Sequence, residues 1–287
     1  MAKPQTVAKP PTVAKSNLAI RFLTAVIVGP LILALLYFGQ PWGFAILVAA
    51  ATLVGAFELF AMTHTNDKVS QAICALLTVG VAFVLWQWGA NARALVALLM
   101  LLPLVSMGIV LLRLGEMRTA ALRVAAGAFG PLYLGGGMAS LALLRRDAGA
   151  DGPSFVLLTF MLSWFSDTGA YFAGRFLGKH KLYEAVSPKK TIEGAIGGLA
   201  AAVLGGAVLG HYVYLRSLPL LDGVILAVVA GALGQAGDLG ESLLKRSVGV
   251  KDSGGIVPGH GGILDRVDAL LVTGTLTYLY VVWVRGV

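Results

Sequence analysis

The sequence predicts an all-α, polytopic integral membrane protein of about nine transmembrane helices with a cytoplasmic N-terminus. Three observations predict it. The 287 residues are 57% hydrophobic and only 13% charged, with a mean hydropathy of +0.83, too apolar for a water-soluble domain of this length. The apolar residues come in runs of roughly 20, the length that crosses a bilayer as a helix, and not in the short alternating segments of a membrane β-barrel. Lysine and arginine are spread unevenly between alternate connections, as the positive-inside rule requires.

The chain begins with a tandem PQTVAK/PPTVAK. Rich in proline and lysine and lacking an apolar face, residues 1–17 are expected to form a disordered basic tail that touches anionic headgroups at most. No small-residue cleavage site follows the first apolar run, so a cleaved signal peptide is not expected. Hydropathy places spans near 20–38, 42–63, 71–90, 94–112, 122–144, 154–174, 192–215, 220–242 and 263–284. Gly39-Gln40-Pro41 makes a tight hairpin between the first pair. Pro103 is expected to kink the fourth span. Gly135-Gly136-Gly137 in the fifth, with Gly197-Gly198 and Gly205-Gly206 in the seventh, should allow close helix approach. Glu58 is a lone acid in the second span, expected to face the interface or the bundle.

Residues 18–150 read as N-terminal transmembrane helices and 151–287 as a C-terminal catalytic transmembrane region. With the N-terminus inside, seventeen of the 22 basic residues fall on cytoplasmic segments and five (Arg93, Arg145, Arg146, Arg216, Arg285) on the other side. The two long polar loops, 175–191 and 243–262, then share the cytoplasmic face. Such a distribution accounts for the net charge of +8 without a nucleic-acid partner. The single cysteine, Cys74, lies in an apolar run and excludes an intramolecular disulfide.

Chemistry concentrates between Asp238 and Asp268. Asp238, Glu241, Ser242 and Lys245 fall at i, i+3, i+4 and i+7 and form one polar stripe on an apolar helix; a solvated helix end with snorkelling Lys245 and Arg246 is the plain alternative. Asp265 and Asp268, at i and i+3, project from one face of the first turns of the last span. Acids there also complement a helix dipole, but that accounts for one acid better than for two plus a third on the neighbouring span. Hard oxygen ligands from two helices suit Mg²⁺ shared with substrate phosphates. The glycines around His260 let backbone approach an anion, and the last helix offers its N-terminus to a phosphate. No Walker loop is present. Upstream, Ser187-Pro188-Lys189-Lys190-Thr191 offers two hydroxyls and two mobile charges for a phosphate, with capping by Ser187 or Thr191 as the alternative. Asp167, an acid inside a span, is a functional candidate or the partner of a base.

These residues resemble the signature of the phosphatidate cytidylyltransferases (CDP-diacylglycerol synthases), which is matched at Ser242, Leu244, Lys245, Arg246, Lys251, Asp252, Gly254, Pro258, His260, Gly261, Gly262, Asp265, Arg266 and Asp268. Val257 stands where a larger apolar residue is more usual. The SDTGAYFAGR and SPKKTIEGAIGG segments also look like that family, so the resemblance covers about residues 160 to 284. It implies synthesis of CDP-diacylglycerol and diphosphate from CTP and phosphatidate in phospholipid biosynthesis, with Mg²⁺ as cofactor and room for a second cation such as K⁺. It further implies a homodimer in the cell inner (plasma) membrane with its active site facing the cytoplasm. The expected catalytic residues are Asp238, Lys251, Asp252, His260, Asp265 and Asp268, with Asp238, Asp265 and Asp268 as metal ligands. Asp167, Ser187, Lys189, Lys190, Thr191, Ser242, Lys245, Arg246 and Arg266 are expected to bind substrate. Two other readings share the charges: a transporter of a phosphorylated solute, and a related lipid nucleotidyltransferase or kinase. The clustering of charge toward one face and one third of the chain favours an interfacial enzyme over a transporter, whose site lies near the midplane between repeated halves.

Overall fold

The structure, a computed structural model, describes residues 14–255 and 261–286. The tail residues 1–13, the stretch 256–260 that includes Pro258 and His260, and Val287 lie outside the described residues. Helices are α1 (Ala14–Phe38), α2 (Pro41–Thr63), α3 (Lys68–Trp88) and α4 (Ala92–Leu112). They are followed by α5 (Met117–Asp147), α6 (Gly152–Phe176), α7 (Ile192–Val213), α8 (Leu220–Ser247) and α9 (Leu264–Trp283). The first helix starts within the segment whose composition suggested a tail, at Ala14. Among the described residues the two β-strands form a surface hairpin in the loop after α6, where β1 (Lys181–Tyr183) pairs antiparallel with β2 (Ser187–Thr191). Too short to show a period of two, it could not be read from hydropathy.

Among the described residues, six helices are long and apolar enough to cross a membrane by length and composition: α2, α3, α4, α5, α7 and α8. Large apolar side chains on their outer faces remain uncovered; Met100 is 68% exposed and Leu111 68%. In water a surface of this kind would drive aggregation, whereas in lipid it is at rest. The chain is a multi-pass membrane protein. In α6 and α9 the apolar run is diluted by serines, threonines and carboxylates, and those polar residues build the site described below.

Side chains close several of the helix ends. Asn91 Oδ1 accepts from the Arg93 and Ala94 amides at the start of α4, and Thr191 Oγ1 accepts from Gly194 N, 3.1 Å away, at the start of α7. Arg145 donates to Leu36 O and Gly39 O at the end of α1, so one basic residue on the side opposite the N-terminus serves as a helix cap. Between α2 and α3, Asp67 accepts from Ser70 N and pairs with Arg113 at 3.0 Å. The Arg113 guanidinium holds its carboxyl well below the usual carboxylate range. Beside it His64 is fully enclosed. Burial, reinforced by Arg123, pushes its imidazole down to about 4.

Because lipid tails are as apolar as leucine, close contact and satisfied polar groups decide how the helices associate. The α5 helix is the centre of the packing, against α2, α3 and α9, and the stretch from Gly137 to Leu144 is wholly buried. A Cβ on Gly135 would lie 2.6 Å from Thr78 O, and one on Gly137 would lie 2.8 Å from Leu271 Cβ. The glycines expected to permit close approach do so here, and α5 passes through this point as a π-helical turn over Pro131–Gly136. Buried hydroxyls of Thr52, Thr78, Thr159 and Thr277 return their hydrogens to the carbonyl four residues earlier, which leaves no orphan donor in the bundle at those positions. The α6 helix lies along α7, and α8 along α9. These two pairs carry the site.

Candidate active site

The polar stripe of α8 faces the first turns of α9. Lys245 Nζ lies 2.9 Å from Glu241 Oε2 and 2.6 Å from Asp265 Oδ1, with its side chain 10% exposed and that of Glu241 1%. One ammonium therefore ties the two helices together. Asp265 also accepts from Ser253 N at 3.1 Å and from Gly262 N at 3.3 Å, so two amides of the loop between the helices meet on a single carboxylate. A buried charge needs this degree of compensation, because desolvation of each ion costs several kcal/mol.

On the other side of the stripe, Lys190 from β2 reaches Asp238, with Nζ 2.6 Å from Oδ2. Asp268 lies within electrostatic range of Asp238, Glu241 and Asp167. Asp167 in turn faces Asp238, Lys190 and Arg266. Gln235, one turn before Asp238, donates to Ser166 Oγ at 3.2 Å and Ala195 O at 3.1 Å, which fixes α8 against α6 and α7. A cavity of about 550 Å³ opens here, lined by Asp167, Arg175, Lys189, Lys190, Thr191 and Asp238 among others.

The predicted residues thus divide into groups. Asp167, Lys189, Lys190, Thr191 and Asp238 line one cavity, with Asp268 and Arg266 within electrostatic range of Asp167. Thr191 also caps α7, the role left open for it. Ser187 opens β2 and Ser242 is buried on α8. Arg246 donates to Val250 O, 2.8 Å away, and so closes the turn after α8. Lys251 and Asp252 are exposed. His260 lies outside the described residues. Asp238, Asp265 and Asp268 do not form a ready cage: among the described residues no three carboxylates, histidines or cysteines are grouped to hold a metal, and lysines occupy Asp238 and Asp265. The donor set nevertheless fits a hard divalent cation. Four acids come near one another: Glu241 is buried, Asp238 and Asp268 are half-buried and Asp167 is exposed, and Glu241 Oε1 is buried with no hydrogen-bond partner. Surplus carboxylate oxygen at low dielectric is what such an ion satisfies.

Sequence reasoning missed three members, among them Arg175 on the cavity wall. Gln235 has no charge to draw attention. Glu58, on α2, proves to be wholly buried, 3% exposed, and Oε2 accepts from Leu264 N at 2.9 Å, the amide that starts α9. An acid inside a span was the available signal, but no local pattern tied it to residues two hundred positions later.

The family model described as the cytidylyltransferase family matches residues 19–284. The chain belongs to the cytidylyltransferase family. Relatives carry the resemblance across most of their length. A phosphatidate cytidylyltransferase of Brucella suis biovar 1 is 36% identical over 269 residues, covering 92% of this chain and 93% of the relative. One from Staphylococcus epidermidis is 34% identical over 256 residues, covering 88% and 94%. Over a shorter stretch of 123 residues, a Staphylococcus saprophyticus phosphatidate cytidylyltransferase reaches 46% identity, covering 42% of this chain and 46% of the relative. In this cytidylyltransferase the first five helices, which resemble the family in hydropathy alone when read from the sequence, therefore belong to the same homologous unit as the site.

Proposed function

We propose that this chain transfers the cytidylyl group of CTP to phosphatidate, giving CDP-diacylglycerol and diphosphate. The observation that carries the reading is the mixed cluster on α6, α8 and α9: Asp167, Asp238 and Lys190 line a cavity, and Glu241, Asp268, Lys245 and Arg266 lie next to them. A phosphate oxygen of phosphatidate attacks the α-phosphorus of CTP, the bond to the β-phosphate oxygen breaks, and diphosphate leaves. Attacker and target are both anions, so positioning and charge cancellation supply the catalysis. Lys189, Lys190 and Arg175 on the cavity wall neutralise phosphate charge, and Arg266 joins them from α9. Lys245 holds Asp265 in place. Phosphatidate is already ionised at neutral pH, so no strong general base is required.

Asp238 and Asp268, with Asp167 and Glu241 close by, would hold Mg²⁺, and Asp265, now paired with Lys245, would join the ligand set. Magnesium, when bound, supplies compensation for the triphosphate's charge. A neighbouring K⁺ site, a homodimer, nine spans with the N-terminus in the cytoplasm, and an inner-membrane location with the site on the cytoplasmic side belong to the same proposal. The seventeen-to-five distribution of basic residues supports the orientation. Acyl chains then stay in lipid while the headgroup meets CTP at the cytoplasmic rim.

The test is to supply purified protein with phosphatidate and CTP labelled on either its α- or its γ-phosphorus, with and without EDTA. Label from the α-position alone should enter lipid, and EDTA should stop it. Entry of γ-label would mean a lipid kinase, and no label in lipid from either would refute a lipid-modifying enzyme.

A further inference from the structure

The first five helices would be only a membrane anchor if nothing in them reached the site. Glu58 reaches it. Its Oε2 accepts from Leu264 N at 2.9 Å and lies 3.4 Å from Ser253 Oγ. Two glycines press against the same carboxylate. A Cβ on Gly254 would fall 2.6 Å from Glu58 Oε1, and one on Gly262 would fall 2.6 Å from Oε2. Ser253, Gly254 and Gly262 of the loop between α8 and α9 thus crowd the carboxylate, and among the described residues no hydrogen bond from α2 itself reaches it. From this point the contacts continue inward. Ser253 N donates to Asp265, and Asp265 pairs with Lys245.

We propose that Glu58 is a positioning residue of the active site, holding the start of α9 and the Ser253–Gly254 segment so that Asp265 and Lys245 face the substrate phosphates. A negative side chain at a helix N-terminus gains from the helix dipole as well as from the hydrogen bond. The two glycines are required here because any side chain would push the acid off its acceptor geometry. The proposal rests on the cytidylyltransferase reading of the site.

Three proteins decide it: wild type, Glu58→Gln and Glu58→Ala, each purified in the same detergent and compared for thermal midpoint, kcat and KM for CTP. Glutamine keeps an acceptor of the same reach, so it should fold and retain turnover within several-fold of wild type. Alanine should lower kcat by roughly ten- to a hundredfold, the scale of a lost positioning contact, with KM for CTP changed far less. If the alanine protein does not fold, Gly254→Ala displaces the carboxylate without removing it and should lower kcat in the same way. A kcat for Glu58→Ala equal to wild type in folded protein would overturn the proposal, as would a Glu58→Gln protein that is inactive or unfolded. An inactive wild type would instead refute the assigned reaction.

Discussion

Lys245 Nζ lies 2.6 Å from Asp265 Oδ1 and is the bond by which α8 recognises α9. Because its second partner, Glu241 Oε2, is 2.9 Å away and almost wholly buried, removing the ammonium strands two carboxylates. Lys245→Ala is therefore expected to destabilise the protein by about 3–5 kcal/mol, the scale for breaking a buried pair. Turnover should fall with it. Thermal unfolding in detergent checks this, and an unchanged midpoint would show that the pair is not a structural tie.

The second lysine pair behaves differently. Lys190 and Asp238 are each more than a quarter exposed, and such pairs contribute only about 0–1 kcal/mol. Lys190→Ala should leave the thermal midpoint almost unchanged. Its effect should fall on substrate affinity, with KM for CTP or phosphatidate raised about tenfold, as for loss of one charge-assisted contact. Steady-state kinetics with each substrate varied would test this, and unchanged KM for both would remove Lys190 from the site.

Acid sensitivity follows from His64. Its imidazole is held at about 4 by burial and by Arg123, below its ordinary value of 6.5. The unfolded chain therefore binds a proton there before the folded one does. The stability associated with the neutral ring is fully present above pH 6.5 and is lost as pH falls from there through 4. The thermal midpoint should decline over that window, and His64→Gln, neutral throughout, should flatten the decline. An equal slope in both proteins would refute the assignment.

Close packing gives a further expectation. Gly137→Val must push against Leu271, whose Cβ would lie 2.8 Å from the new side chain. Overpacking of this kind costs about 1–3 kcal/mol, and since α9 carries Asp265 and Asp268, turnover should fall alongside the thermal midpoint. A valine variant with wild-type stability would show that α5 and α9 have room to separate.

Much of this was legible in the sequence because the governing signals are local. Apolar runs located the helices to within a few residues, and the i, i+3, i+4, i+7 spacing placed Asp238, Glu241, Ser242 and Lys245 on one face of α8. The pairing of particular charges was not legible. Nothing in spacing says that Lys190 meets Asp238 while Lys245 meets Asp265, since both depend on how α7 and α9 dock. Nor does spacing show that Arg246, a base in a charge-rich motif, donates to Val250 O in the turn after its own helix. Glu58 was the hardest to see, because its partners Ser253 and Leu264 come from the far end of the chain.

The central claim is that acids from α6, α8 and α9 act together as the cation-holding side of a phosphate-transfer site. Its most direct test is CDP-diacylglycerol formation by Asp238→Asn at saturating Mg²⁺, with thermal unfolding as a check on folding. A protein that unfolds near the wild-type temperature but turns over at least about a hundredfold more slowly is the expected result, given the scale of a lost electrostatic element. Turnover within about threefold of wild type, a difference of under about 1 kcal/mol in the barrier, would contradict the account.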